Sequence, residues 1–338
     1  MFDFIPTEYF LLAFGLILLI KGGDMFVDAA SAIAKRFKLP ELLIGATVVS
    51  IGTTLPEVMT SAMGAVSGAG GIAYGNAIGS IICNTALIAA ITIAIKPGKA
   101  DKKTLFFPVA FFFGTAAFYM ANAYIGGGFA RWSGIVLLAA FVFYMVMNVI
   151  NMKKNPPQEE HSEALEECEL KEDKESSVGL IKDIIVLVAG AAIIAVGAYL
   201  LVESATSIAV QLGVPESVIG LTVVAIGTSL PELVTAITSL IKGHGLLSLG
   251  NIIGANIFNL VLVSGVAVTI NPFTVPENSM LFGQNASFVL DLPVMIAVMG
   301  IMTIPTLFKG KLARWQGISL LAIYFAFMFM QFVFVKAV

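Results

Sequence analysis

Charge is what this chain lacks most: only 12% of its 338 residues are Asp, Glu, Lys or Arg, about half the share of an ordinary soluble domain. Neither of the two histidines, His161 and His244, has metal-ligand spacing. Cys83, in an apolar run, is not expected to meet Cys168, in an acidic one, as a disulfide. No basic tract tracks a phosphate backbone, so nucleic acid is not an expected partner. Neither a His-Glu-x-x-His nor a Gly-x-Ser-x-Gly motif is present, so the chain is not expected to be an enzyme and needs no cofactor. The opening MFDFIPTEYF holds two acids and no base, which lacks the positive region of a cleavable signal peptide. The apolar run after it is therefore expected to be a true span.

What is present is apolar: 58% of residues are hydrophobic and the mean hydropathy is +0.94. Apolar stretches fall at 9–33, 41–67, 71–95, 104–124, 131–151, 180–204, 215–241, 246–270, 287–308 and 313–335. A spanning helix needs about 20 such residues, so the expectation is an all-α membrane protein with ten transmembrane helices in a lipid bilayer. Nine of the 22 acidic residues are concentrated between Glu159 and Glu175, beside Pro156-Pro157. That segment reads as a solvated linker, without the spacing of a calcium-binding loop.

The spans repeat. GATVVSIGTTLPEVMTS from Gly45 matches GLTVVAIGTSLPELVTA from Gly220, and GNAIGSIICN from Gly75 matches GNIIGANIFN from Gly250. Both offsets are 175, with 11 of 17 and six of ten positions identical. A fainter echo, RWSGIVLLA from Arg131 and RWQGISLLA from Arg314, marks the last span of each half. Three regions follow: a first five-span repeat (1–152), an acidic linker (153–179) and a second five-span repeat (180–338). An odd number of spans inverts the second copy, and the basic residues agree, because cytoplasmic loops collect Lys and Arg. Lys35, Arg36 and Lys38 follow span one, whereas the matching Gln211 to Val214 is uncharged; Lys96, Lys99, Lys102 and Lys103 follow span three, whereas 271–285 has no base. Both termini are thus expected outside a cell membrane, with 153–179 in the cytoplasm.

Inverted repeats that put polar, helix-loosening sequence at matching points of two spans mark a transport site near the bilayer midplane. Here those points are Gly52 to Glu57 and Gly227 to Glu232. Pro56 and Pro231 each release the carbonyl four residues back. Thr53, Thr54, Thr228 and Ser229 add hydroxyls, and Glu57 and Glu232 add carboxylates at a depth where an ionisable group is costly. Hard oxygen ligands suit Ca²⁺ or Na⁺. Packing alone is a poor account of two symmetry-related acids. Gly75, Gly79, Gly250 and Gly254 have the spacing that draws helices together, while Ser80, Asn84, Asn259, Asn76 and Asn251 are expected to aim polar groups at the site. Asp24 and Asp28 are expected to pair with Lys21, one helical turn away; Glu203 matches Asp28 in the second half, and His161 and His244 read as loop residues.

These paired GTTLPE and GTSLPE segments, each followed by a Gly-Asn-x-Ile-Gly segment, resemble the alpha repeats of the sodium/calcium exchanger family. The resemblance implies an antiporter that exports Ca²⁺ for Na⁺ by alternating access. Its shared Ca²⁺ and Na⁺ ligands would be Glu57 and Glu232, helped by Thr53, Thr54, Thr228, Ser229, Ser80 and Asn84, with spans one and six as the moving gate and a monomer as the working unit. Compact microbial members resemble this chain but carry Asp where Asn259 stands and Ser where Ala255 stands. Those two departures favour protons as an alternative driving ion. A passive cation channel is the remaining reading, disfavoured because inverted halves enclose one site between them.

Overall fold

The computed structural model describes residues 7–37, 41–154, 177–211, 225–276 and 279–337. The acidic linker from 155 to 176 and the start of the seventh span, including Pro215 and Glu216, lie outside them. The chain forms α1 (Thr7–Arg36), α2 (Leu42–Val66), α3 (Gly70–Ile95), α4 (Lys102–Gly126), α5 (Arg131–Lys154) and α6 (Ser177–Gln211). A single turn, Ala225–Thr228, leads into α7 (Leu230–Ile241), then come α8 (Gly245–Ile270), α9 (Ser287–Lys309) and α10 (Arg314–Val333). Nine of these helices are long and apolar enough to cross a membrane; α7, which begins at Leu230, is shorter.

Burial separates the helices into layers. In α8 83% of the most apolar window is buried and in α3 72%, against 17% in α6 and 22% in α10. The centre is therefore α2, α3, α7 and α8, and apolar side chains such as Ile184, Val188, Phe325 and Phe329 are left on the outside for lipid. The helix α1 lies along α6 at one flank. Helix ends follow local chemistry: Asp101 caps α4 by accepting from the Lys103 and Thr104 amides at 3.3 and 3.0 Å. Burial alone would raise the Asp101 carboxyl, but the Thr104 hydroxyl and these amides hold it below the usual carboxylate value. Gly127 and Gly310 close α4 and α9 with φ of 66° and 67°, the left-handed turn that glycine adopts without strain.

The inverted symmetry is visible in contacts. Arg131 Nη2 donates to Ile270 O at 3.2 Å and Arg314 Nη2 to Ile95 O at 3.4 Å, so each half's last span caps the third span of the other. A guanidinium there satisfies an orphan carbonyl and the negative end of the helix dipole. A Cβ on Gly134 would meet Thr269 and Gly265, and one on Gly317 would meet Ala94 and Ala90, residues related by the same offset of 175. The Arg-Trp-x-Gly echo thus encodes a close helix crossing used twice.

Loops pair by end. Ala100 N donates to Gly310 O and Leu312 N to Gly98 O, at 3.0 and 2.8 Å, which puts the lysine-rich connections α3–α4 and α9–α10 together. At the opposite end Gly128–Phe129 pairs antiparallel with Phe273–Thr274. Asp24 and Asp28 do form an ion-paired group, but the cation is Lys242 at the end of α7, at 3.3 and 2.7 Å, and not Lys21. One turn of spacing brings Lys21 near Asp24 along α1; the side chain instead points outward, exposed, while the reach of Lys242 from a neighbouring helix satisfies both acids.

Candidate functional site

Glu57 and Glu232 are both 0% exposed, and so are Thr54, Asn84 and Asn259. Thr53, Ser80 and Ser229 are buried too, and Thr228 is half-buried. The helical period puts Thr53 and Glu57 on one face of α2, and Ser80 and Asn84 on one face of α3, each pair four residues apart. The Thr53 and Thr54 hydroxyls face Glu232, while Glu57 and Glu232 are close enough to repel one another when charged. The two motif copies therefore converge at the centre of the molecule.

Hydrogen bonding sets this centre apart. Buried polar atoms are nearly always partnered, yet both carboxylate oxygens of Glu57 and of Glu232, both amide atoms of Asn84 and of Asn259, and the hydroxyls of Thr54, Ser80 and Ser229 have no partner. These account for 11 of the 21 such atoms among the described residues. Two buried carboxylates each cost several kcal/mol, order of magnitude, when charged and unpaired, so the arrangement can take up a cation. Among the described residues no three His, Cys, Asp or Glu cluster as a transition-metal site would need. The donor set is oxygen: carboxylates, hydroxyls and amides, the chemistry of Ca²⁺ and Na⁺.

The same motif behaves differently in its two copies. In α2 the helix runs unbroken through Gly52 to Glu57 with Pro56 inside it, so the Gly52 carbonyl has no Pro56 N–H to accept. In the second copy the helix breaks at Ser229 (φ −91°, ψ 8°), and Pro231 sits in the first turn of α7, where a missing N–H costs little. The next motif stays symmetric: a π-helical turn begins at Asn84 in α3 and at Asn259 in α8. Such turns widen the helix and turn carbonyls and side chains out of register.

The supporting amides divide the work. Asn76 Nδ2 donates to Glu57 O at 3.1 Å and to Ser61 Oγ at 2.8 Å, holding α2 against α3 behind the carboxylate. Asn251 Oδ1 accepts from the Thr53 hydroxyl at 3.2 Å, and Asn251 O from Ser50 Oγ at 3.0 Å, joining the two halves. Gly250 and Gly254 allow this approach, for a Cβ on either would overlap Leu42 or Ala46. Gly75 and Gly79 have no described neighbour within 4 Å of a Cβ and line a cavity instead; the segment that would mirror Leu42 is outside the described residues.

Two residues escaped the sequence reading. Asn256, fully buried, donates to Thr85 Oγ1 at 2.7 Å, in the motif that flags Asn259. Asp291, a lone acid in the apolar opening of α9, is bonded by Gln331 Nε2 at 2.7 Å. An intramembrane acid is itself a signal of function, and the absence of any acid in α4, its counterpart in the first half, hid it from the repeat search.

The sequence matches the sodium/calcium exchanger protein family over residues 7–150 and 182–333. It is 32% identical to the sodium/calcium exchanger MaX1 of Methanosarcina acetivorans, over 97% of this chain and 99% of that one. It is 34% identical to the inner membrane protein YrbG of Escherichia coli over 78% of this chain and 79% of the relative. The fold superposes on the sodium-calcium exchanger NCX_Mj, soaked with 2.5 mM Na⁺ and 10 mM Sr²⁺, with a TM-score of 0.79 at 31% identity, covering 96% of this chain and 99% of that one.

Proposed function

The chain belongs to the sodium/calcium exchanger family, and from that premise we propose that it exports Ca²⁺ in exchange for Na⁺ by alternating access at a site centred on Glu57 and Glu232. The observation that carries this reading is the pair of fully buried, symmetry-related carboxylates whose four oxygens lack partners. Together they hold a charge of −2 when ionised, which one Ca²⁺ neutralises and two Na⁺ neutralise equally. Ca²⁺ takes about six to eight oxygens. The carboxylates with Thr54, Ser229, Ser80 and the amide oxygens of Asn84 and Asn259 supply that number, with Thr53 and Thr228 beside them. Competition for one set of oxygens couples the two fluxes: neither ion leaves the site without the other, or a proton, replacing it. The working unit is a single chain, because both halves of the site come from it.

A second reading, Ca²⁺ exchange for protons, is favoured by Asn259 and Ala255. A third Na⁺ would leave the centre at +1, and at these two positions the chain offers a neutral amide and a methyl. The test is ⁴⁵Ca²⁺ uptake into proteoliposomes loaded with Na⁺, or carrying a pH gradient instead. Uptake driven by the Na⁺ gradient alone supports the first reading; uptake driven only by the pH gradient supports the second. Uptake that needs neither gradient means a channel.

The lysine-rich end of the molecule is assigned to the cytoplasm, with both termini and the Gly128–Thr274 end outside. In a Cys168→Ser chain, Gly126→Cys should be labelled by an impermeant thiol reagent from outside, and Lys311→Cys only after permeabilisation. The reverse pattern would overturn the orientation.

A further inference from the structure

Between α3, α9 and α10 lies a cavity of about 310 Å³. It opens toward the end that carries Pro276 and Gln331 and reaches inward to Ser80, Cys83 and Thr228. From Gly71 to Cys83 it follows α3 for about 18 Å at 1.5 Å per residue, so it leads from one face of the molecule to the edge of the carboxylate centre. The Cys83 thiol lies beside the Ser229 hydroxyl at its inner end. Asp291 lines the cavity nearer its mouth.

A structural role does not account for this acid. Asp291 precedes the regular part of α9 but makes no capping bond to it. The ion pairs among the described residues are Arg36 with Asp183 and Lys242 with Asp24 and Asp28, so Asp291 has no cation among the described residues. Its one firm bond is the Gln331 amide, which ties α9 to α10, with Ser287 beside it. An independent observation points to a ligand: the Tyr74 hydroxyl, 3% exposed and lining the same cavity, lies beside Ser287 yet has no hydrogen-bond partner. Ser80, at the inner end, is likewise unpartnered. The cavity is roomy enough for several waters at about 30 Å³ each.

We infer that this cavity is a docking site for one partly hydrated monovalent cation, Na⁺, held at Asp291 with the Tyr74 and Ser287 hydroxyls, on the way to Thr228 and the central carboxylates. One carboxylate balances one monovalent charge; Ca²⁺ there would leave an excess of +1 in an apolar wall. The inference rests on the exchanger reading for the role of the cation, but its binding test does not depend on transport.

Dicyclohexylcarbodiimide modifies carboxyls in apolar surroundings. In the full chain carrying Glu57→Gln and Glu232→Gln, Na⁺ should slow modification of Asp291, read by peptide mass spectrometry, whereas N-methylglucamine should not. In the otherwise native chain, Asp291→Asn should raise the half-saturating Na⁺ for Ca²⁺ exchange about fivefold, applied from the face bearing the α8–α9 connection, with the maximal rate kept and Asp291→Glu restoring it. Equal modification with and without Na⁺, or protection by Ca²⁺ alone, would overturn the proposal. So would an unchanged half-saturating Na⁺ in Asp291→Asn with a lowered maximal rate, which is the signature of a structural tie. If the native chain shows no exchange at all while Na⁺ still protects Asp291, the exchanger reading fails and the docking site stands.

Discussion

The two copies of the Gly-Thr-x-Leu-Pro-Glu segment differ in one letter between their glycine and glutamate, Thr54 against Ser229, and in shape they differ far more. The first continues as helix through Pro56, and the second breaks at Ser229 and restarts with Pro231 in its first turn. Around them the halves stay matched: the π turns at Asn84 and Asn259, the Arg131 and Arg314 caps, and the Gly134 and Gly317 crossings all obey the inversion. A duplicated sequence therefore does not impose a duplicated conformation. Where neighbours lock a segment it is symmetric, and at the buried carboxylates the two copies take different backbones, an asymmetry the proposed alternating access would use.

The sharpest test removes what the copies share. Glu57→Ala and Glu232→Ala should each lower Ca²⁺ exchange by about 100-fold or more, from the several kcal/mol lost when one partner leaves a buried charged set. The protein should stay folded by thermal unfolding in detergent. Loss in one variant with near-native exchange in the other would mean the two carboxylates are not a pair. The matching Asp variants should keep weak transport.

The prolines test what the copies do not share. Pro56→Ala gives the Gly52 carbonyl an N–H to accept and relieves the proline ring's clash inside the helix, and should stabilise the protein by up to about 3 kcal/mol. Pro231→Ala, in the first turn of α7, should change stability by less than about 0.5 kcal/mol. Pro56→Ala should also weaken Ca²⁺ binding, because it occupies a carbonyl near the site. Equal shifts in Tm would remove the asymmetry.

The crossings serve as the symmetric control. Gly134→Ala and Gly317→Ala each force a methyl into facing backbone and should cost about 1–3 kcal/mol, by similar amounts. A large difference between them would show that the inversion is less complete than the paired contacts indicate.

Much of this was legible in the sequence, for physical reasons. Apolar length marked ten spans, nine of them described helices long enough to cross a membrane, the offset of 175 marked the duplication, and the Gly-Asn-x-Ile-Gly spacing drew attention to Asn76 and Asn251, which bond Glu57 O and the Thr53 hydroxyl. What was not legible depends on distant neighbours. The break at Ser229 cannot be read from a segment whose near-identical copy stays helical. Lys242 replaces Lys21 as the partner of Asp24 and Asp28 because it arrives from α7, 218 residues after Asp24. Asp291 and Gln331 stand 40 residues apart on different helices, and neither has a repeat partner to draw attention to it.

The smallest expected effect concerns the two positions where the second half carries less oxygen than the first, or than related exchangers. Ser80 and Asn84 of α3 correspond by the offset of 175 to Ala255 and Asn259 of α8. The first pair offers a hydroxyl and an amide, the second a methyl and an amide, all fully or nearly buried. The resemblance to compact microbial exchangers implies Ser and Asp at the latter two positions, where they would add a hydroxyl oxygen and a negative charge. On the proposed reading, a third Na⁺ would then meet an uncompensated positive centre, and protons would compete with cations at Glu57 and Glu232. Ca²⁺ flux in the native chain should accordingly rise with pH and depend only weakly on Na⁺. Ala255→Ser with Asn259→Asp should steepen the Na⁺ dependence and lower half-saturating Na⁺ by about threefold to tenfold, since one added hydrogen-bonding oxygen and one charge contribute about 1 kcal/mol or somewhat more. The measurement is Ca²⁺ flux against Na⁺ at several pH values, with membrane current recorded alongside. If the native chain already shows a steep, pH-insensitive Na⁺ dependence that moves net charge, the oxygens missing at Ala255 and Asn259 do not set the stoichiometry.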